Sequence, residues 1–224
     1  MISKAQIKTI VLLHQKKYRD ERKTFIAEGP KIVLDLLNSK FKMIDLFAVE
    51  KFKVQDSKIK AQEVNEKELL AISALSTPNQ VLATFEIREE KLNVENLKEE
   101  LVLALDEIRD PGNLGAIIRI ADWFGINHIL CSETCVDMYN PKVIQATMGS
   151  IARVNIHYVN LDSVLKEFTP VYAAVLDGKN IYSEKLSNTG IILIGNESRG
   201  VSDKLMKHVT QGLMIPSFSS QRGV

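Results

Sequence analysis

Two cysteines, Cys131 and Cys135, are all that the 224 residues contain, and a disulfide framework cannot rest on one pair. Long apolar runs are missing as well. The longest are short stretches such as Leu101–Leu105 and Ile191–Ile194, far below the roughly 18–20 residues that span a bilayer. The start, Met-Ile-Ser-Lys-Ala-Gln-Ile-Lys, has no apolar h-region and so does not read as a secretory signal. There is no internal repeat and no low-complexity tract. These absences predict a cytoplasmic protein with no membrane association.

Common site motifs are lacking too. Gly112-Asn-Leu-Gly115 fails the Gly-x-Gly-x-x-Gly spacing of a dinucleotide-binding turn. Gly195-x-x-x-x-Gly200 is followed by Val201-Ser202, without the lysine that a P-loop needs to reach phosphates. The pair Cys131-x3-Cys135 and four scattered histidines give no zinc spacing, and buried free thiols explain the pair more simply. No Gly-x-Ser-x-Gly elbow occurs. No metal is expected.

What is present is an ordinary globular composition, 45% hydrophobic and 25% charged, enough for one large domain or two small ones. The net charge of +1 hides an asymmetry. Residues 1–60 carry 14 Lys/Arg against 7 Asp/Glu, and the remainder carries 15 against 21. A basic third fits a nucleic-acid footprint, because phosphates attract Lys and Arg whatever the base sequence. It equally fits a solvated helix face.

Hydrophobic spacing predicts a helix from Ile7 through His14 and Tyr18, with Lys16, Lys17, Arg19, Arg22 and Lys23 on its other face. A strand at Thr24–Glu28, a Gly29-Pro30 turn, a helix from Lys31 to Leu37, and strands at Ile44–Val49 and Val81–Phe85 complete a small α/β unit, residues 1–87. Residues 88–100 are charged and read as a linker. From 101 to 224 apolar strands and amphipathic helices alternate, which predicts an α/β domain with a mostly parallel sheet. The expected strands are Leu101–Ile108, Ile126–Cys131, Arg153–Val159, Val171–Leu176, Ile191–Gly195 and Leu213–Ile215. The expected helices are Gly115–Phe124, Pro141–Met148, Leu161–Phe168 and Ser202–Val209.

Two loops after strands concentrate Gly, Asn and charge: Asp106 to Gly115, and Ile194 to Ser202. Backbone can approach a ligand closely there. Arg119 is out of place among Ile117, Ile118, Ile120 and Ala121; an ion pair with Asp122 or Asp106 accounts for it as readily as a ligand does. Glu197 is ambiguous too, since an acidic residue is favourable near a helix N-terminus.

The string Leu105-Asp106-x-x-x-Asp110-Pro111-Gly112-Asn113-Leu114-Gly115-Ala116-Ile117-Ile118-Arg119-x-Ala121-Asp122-x-Phe124-Gly125 resembles the first motif of the SpoU (TrmH-like) RNA 2′-O-ribose methyltransferases. Leu193-Ile194-Gly195-Asn196-Glu197-Ser198-Arg199-Gly200-Val201 resembles their second motif, with Pro141 to Ser150 at the expected place between them. Phe25-Ile26-Ala27-Glu28-Gly29-Pro30 resembles the ribosomal-protein-like substrate-binding domain that many members carry. The resemblance covers about residues 3 to 216.

It implies a trefoil-knotted α/β domain, S-adenosylmethionine as methyl donor, a homodimer, and ribosomal or transfer RNA as substrate. Carried over by motif, Asn113, Arg119 and Glu197 are the catalytic-site residues. Gly195, Ile215, Thr147 and Gly200 line the donor pocket. The basic helix face of the N-terminal unit, Lys16, Lys17, Arg19, Arg22 and Lys23, is then expected to dock the RNA. A ribose 2′-OH is a poor nucleophile, so removal or stabilisation of its proton needs help. A guanidinium is almost always charged, which favours alkoxide or phosphate stabilisation by Arg119 over a base role.

One departure stands out. The family's third motif continues from Ile-Pro-Met into Ser-Leu-Asn-Val-Ser and a helix; here Ile215-Pro216 is followed by Ser217-Phe218-Ser219-Ser220-Gln221-Arg222-Gly223-Val224. Donor binding and dimerisation are the properties this touches, and Ser217, Ser219 or Ser220 are the residues that could stand in. A non-catalytic RNA-binding protein on the same fold is the alternative, and a nucleotide-dependent oxidoreductase a more distant one.

Overall fold

The computed structural model describes residues 1–52, 59–88 and 92–217. Ser219 and Ser220 therefore lie outside the described residues, as does part of the 88–100 linker. The chain opens with α1 (Lys4–Leu12), α2 (Lys16–Arg22), β1 (Thr24–Glu28), α3 (Pro30–Leu37), β2 (Met43–Ala48), β3 (Gln62–Glu63), α4 (Glu66–Ile72) and β4 (Val81–Glu86). It continues through α5 (Val94–Leu97), β5 (Leu101–Leu105), α6 (Pro111–Trp123), β6 (His128–Ser132), α7 (Pro141–Thr147) and β7 (Asn155–Val159). The last elements are α8 (Leu161–Leu165), β8 (Val171–Asn180), β9 (Gly190–Ile194), α9 (Asp203–Met206) and β10 (Gln211–Met214). No helix among the described residues is long and apolar enough to cross a membrane.

Two compact units result, and neither is one stretch of chain. The first comprises Met1–Glu90, Asp110–Asp122 and Val136–Val154; the second comprises Lys91–Arg109, Trp123–Cys135 and Asn155–Val224.

The first unit is built on a four-stranded sheet in the order β1-β4-β2-β3, antiparallel except for the short β2/β3 pair. Alternate residues of β1 serve opposite faces. Phe25 stacks with Phe85, meets Phe41 edge-on and packs on Tyr139, at centroid distances of 5.7, 5.4 and 4.6 Å. Ile26 joins Ile10, Leu13, Phe47, Leu69, Ile72 and Leu82 on the other face. Both faces are covered, so β1 is buried almost throughout.

One long N-terminal helix is not what forms. The chain breaks between α1 and α2, and Gln15 N–H reaches only as far back as Leu12 O in a tightened turn. Arg19, expected on the exposed face, is turned inward and donates from one Nη1 to the carbonyls of both Leu13 and His14, at 2.9 and 3.0 Å. It thereby satisfies helix-end acceptors that a continuous helix would have used itself. Helix α4 is a further element that hydrophobic spacing left out; it starts with a reciprocal cap between Asn65 and Glu68.

The second unit contains a six-stranded sheet in the order β10-β8-β9-β5-β6-β7, and every neighbouring pair is parallel. The central strands read Leu-Val-Leu-Ala-Leu and Gly-Ile-Ile-Leu-Ile, the continuous apolar runs that a sheet covered on both faces requires. Val102, Ala104, Leu130, Leu161, Leu165, Phe168, Val171, Ile191 and Leu193 belong to its core.

Boundaries shift for local reasons. β5 ends at Leu105, because Glu107 turns to φ +55° and leaves the extended region. α6 starts at Pro111, four residues early, since the Asp110 side chain accepts the Asn113 N–H at 2.9 Å and proline suits the first helical turn. β8 runs on to Asn180 around an excursion: Gly212 of β10 pairs with Ala173, and the next residue, Leu213, pairs with Lys179.

Candidate active site

In the second unit, β5 and β9 lie side by side with Leu105 paired to Ile194 at their C-terminal ends. The chain leaves β5 for β6 on one side of the sheet and leaves β9 for β10 on the other. Where successive connections diverge like this, a crevice opens beyond the strand ends, and ligands of parallel sheets bind there. The two conspicuous loops of the sequence begin at that point.

Polar ties fasten the loops together. The buried Asp106 gives its N–H to Ile194 O at 2.8 Å and accepts the Ser202 N–H on Oδ2 at 2.9 Å. Asn196 donates from Nδ2 to Glu107 O at 2.9 Å, and its Oδ1 accepts the N–H groups of Ser198 and Arg199. Asn196 and Gly200 exchange two backbone hydrogen bonds, 2.9 and 2.8 Å. Gly195 is essential to this closure. A Cβ there would stand 2.1 Å from the Gly200 carbonyl carbon and 2.2 Å from Val201 N.

Behind the first loop lies the thiol pair. Both cysteines are free and buried. Cys135 Sγ sits 3.3 Å from Leu105 O and accepts the Ile108 N–H at 3.3 Å. Hydrogen bonding from the Cys131 thiol, then from the Ser132 hydroxyl and backbone N–H groups, holds the Cys135 thiol down to about 6 against the effect of burial. The same contact and burial push Cys131 well up.

Among the residues expected at the site, Gly195, Glu197 and Gly200 come together in the second loop. Glu197 is exposed, and α9 begins only at Asp203, so a helix N-terminus does not account for it. Ile215, just past β10, is a large aliphatic residue left 72% exposed.

In the first unit, Asn113 and Arg119 share α6. Asn113 is half-buried in the first turn and Arg119 is exposed, about 9 Å farther along the axis at 1.5 Å per residue. The side chain of Arg119 makes no ion pair among the described residues. Asp122 is taken by Arg153, which grips it at 2.7–3.0 Å and holds its carboxyl below the usual carboxylate range. Asp106 receives Ser202. The structural ion pair considered for Arg119 thus does not form with Asp122.

Thr147 departs from expectation. Its side chain is wholly buried, and its hydroxyl donates to Ile144 O at 2.7 Å and accepts the Gly149 N–H at 3.4 Å. Arg19 departs too, since Asp137 and two carbonyls occupy its donors. Lys16, Lys17, Arg22 and Lys23 are exposed, as expected. Sequence reasoning missed Glu107, whose positive φ has no sequence sign, and passed over Arg109 and Arg199 although both stand in the quoted loops.

Residues 100–222 match the SpoU rRNA Methylase family, and residues 4–83 match the MRM3-like substrate binding domain. The Bacillus subtilis 23S rRNA (guanosine(2553)-2′-O)-methyltransferase RlmP is 28% identical over 214 residues, 92% of this chain and 85% of that protein. The mitochondrial rRNA methyltransferase 3 of Xenopus tropicalis is 33% identical over 158 residues, 66% of this chain, which spans only 38% of the frog protein. A solved TrmH-family putative RNA methyltransferase from Porphyromonas gingivalis superposes with a TM-score of 0.85 at 33% identity, covering 100% of this chain and 92% of that one. An AdoMet-bound rRNA methyltransferase from Sinorhizobium meliloti gives 0.84 at 30% identity, covering 100% and 90%.

Proposed function

Because the chain belongs to the SpoU rRNA methylase family, we propose that it transfers the methyl group of S-adenosylmethionine to a ribose 2′-hydroxyl of ribosomal RNA. The observation that carries this reading is the pair of cross-tied loops at the divergence of β5 and β9.

The residues present fit the donor. Gly195 lets its loop close main chain against main chain, with Gly200 and Val201 where a Cβ would stand, and Ile215 offers an exposed aliphatic surface past β10. Main-chain atoms and an apolar face are what a flat adenine ring needs. When bound, S-adenosylmethionine supplies an already activated methyl on a cationic sulfur, so no metal is called for.

The remaining work falls to the side chains. Arg119 carries an uncommitted guanidinium, charged at any working pH, and stabilises the 2′-oxygen as its proton leaves for water. Asn113, held at the start of α6 by Asp110, orients the ribose through its amide. Glu197, exposed in the second loop, is the third residue that the family motif assigns to the chemistry. The first unit docks the RNA through Lys16, Lys17, Arg22 and Lys23. Trefoil threading and a homodimer belong to the same reading.

The test is transfer of tritiated methyl from the donor to protein-free ribosomal RNA, followed by alkaline hydrolysis, which 2′-O-methylated links survive. Label in resistant dinucleotides is expected, and Arg119→Ala should abolish it while donor binding persists. Label confined to bases, or no label on any ribosomal RNA, overturns the proposal. Arg119→Lys keeps the charge and loses the planar fork; wild-type rates with lysine would remove the role given to Arg119.

A further inference from the structure

Glu107 is the one residue of the first loop forced into the left-handed region, at φ +55°. Its main chain is fixed on both sides. The N–H donates to Ser132 Oγ at 3.0 Å, and the carbonyl accepts from Asn196 Nδ2 at 2.9 Å. The direction of its side chain is therefore set by the fold. A single carboxylate oxygen, Oε2, accepts from Arg199 Nη2 at 2.5 Å and from Arg109 Nη2 at 3.2 Å.

Two guanidinium groups thus share one carboxylate oxygen, so neither is held by a full bidentate pair. Stability does not explain the arrangement, because the arginine side chains are 59% and 62% exposed and pairs so exposed contribute little. Each guanidinium has five N–H donors, and most remain available to solvent. A fork of that kind matches two oxygens of a phosphodiester. Arg109 lies just after β5 and Arg199 just after β9, beyond the paired strand ends where ligands of parallel sheets bind, and every ribose of RNA is flanked by phosphates.

We propose that Arg109 and Arg199 form a two-guanidinium clamp for a backbone phosphate beside the methylated ribose, with Glu107 the positioning residue that keeps them convergent. The proposal rests on the methyl-transfer reading above. An anionic ligand group could also come from the carboxylate of the donor, so the test separates the two sources.

Arg109→Ala/Arg199→Ala is compared with the unaltered chain for retention of ribosomal RNA on filters across a salt series, for steady-state methylation, and for calorimetric donor binding. Expected are a roughly tenfold rise in the KM for RNA and a log–log salt slope shallower by about 0.7–0.9, one phosphate's worth. Donor affinity should stay within twofold, which also reports an intact fold. Arg109→Lys/Arg199→Lys should restore the slope and only part of the KM. Glu107→Gln should raise the KM in the unaltered background and add nothing in the double-alanine background, the non-additivity of groups acting together. An unchanged KM and slope overturn the clamp. A loss confined to donor affinity overturns it in favour of the donor carboxylate. Filter retention reads the clamp directly, whereas absent methyl transfer by the unaltered chain indicts the underlying activity.

Discussion

Arg19 and Asp137, 118 residues apart in sequence, form an ion pair at 2.5 Å whose arginine side chain is only 2% exposed. Asp137 also accepts the Tyr139 N–H at 3.0 Å, and Tyr139 packs on Phe25. The pair fixes the α1–α2 break to the segment before α7 inside the first unit. Asp137→Ala should cost about 3–5 kcal/mol in chemical denaturation, since it strands a buried charge. Arg19→Met/Asp137→Leu should recover only part of that loss, since it removes the unpaired charge but strands the Leu13 and His14 carbonyls and the Tyr139 N–H. A single mutant within about 0.5 kcal/mol of the parent would show that the pair is not structural.

The same pair explains why part of the fold was illegible. Strands β5 and β9 could be read because apolar runs between turn residues leave few alternatives. The α1–α2 break could not, because the arginine that satisfies its free carbonyls is held by a partner far along the chain that no local pattern reveals. Glu107 illustrates the limit at the site: its loop was conspicuous, but its positive φ and its two arginines depend on Ser132 and Asn196.

Lys16, Lys17 and Arg22 should behave differently from Arg19. Lys16 is exposed and, among the described residues, pairs with Asp20 on the same helix, at 2.8 Å, and Lys17 lies 5.7 Å from the centre of the Tyr18 ring. Reversing all three to Glu should leave stability nearly unchanged, weaken binding to ribosomal RNA, and flatten its salt slope by about 0.7–0.9 for each phosphate no longer neutralised. Filter retention at several salt concentrations measures this, and an unaltered slope would remove the face from the docking surface.

Cys135 gives a pH dependence whose sign follows from its environment. Donated hydrogen bonds lower its folded-state pKa to about 6, below the roughly 8.5 of an unfolded thiol. Its contribution to stability is therefore fully present above about 8.5 and is lost as pH falls through about 6. Cys131, shifted upward, contributes below about 8.5 and loses that contribution as pH rises beyond it. Between these limits the unaltered chain should gain stability relative to Cys135→Ser as pH rises. Denaturant midpoints at about pH 6 and pH 8 check the sign, and a gain on acidification would contradict the assignment.

Gly195 and Gly200 close one loop for different physical reasons, and the difference is measurable. At Gly195 the obstacle is space, because the atoms a Cβ would strike, 2.1 and 2.2 Å away, are backbone and cannot rotate aside. At Gly200 nothing lies within 4 Å, and the constraint is a φ of +68°, which asparagine adopts at modest cost. Gly195→Ala must therefore break the paired Asn196–Gly200 hydrogen bonds and open the loop, whereas Gly200→Asn leaves them in place. Calorimetric titration of S-adenosylmethionine should show affinity falling more than tenfold for Gly195→Ala and far less for Gly200→Asn. Equal losses would mean that the donor contacts position 200 directly, and full affinity in Gly195→Ala would place the donor away from this loop.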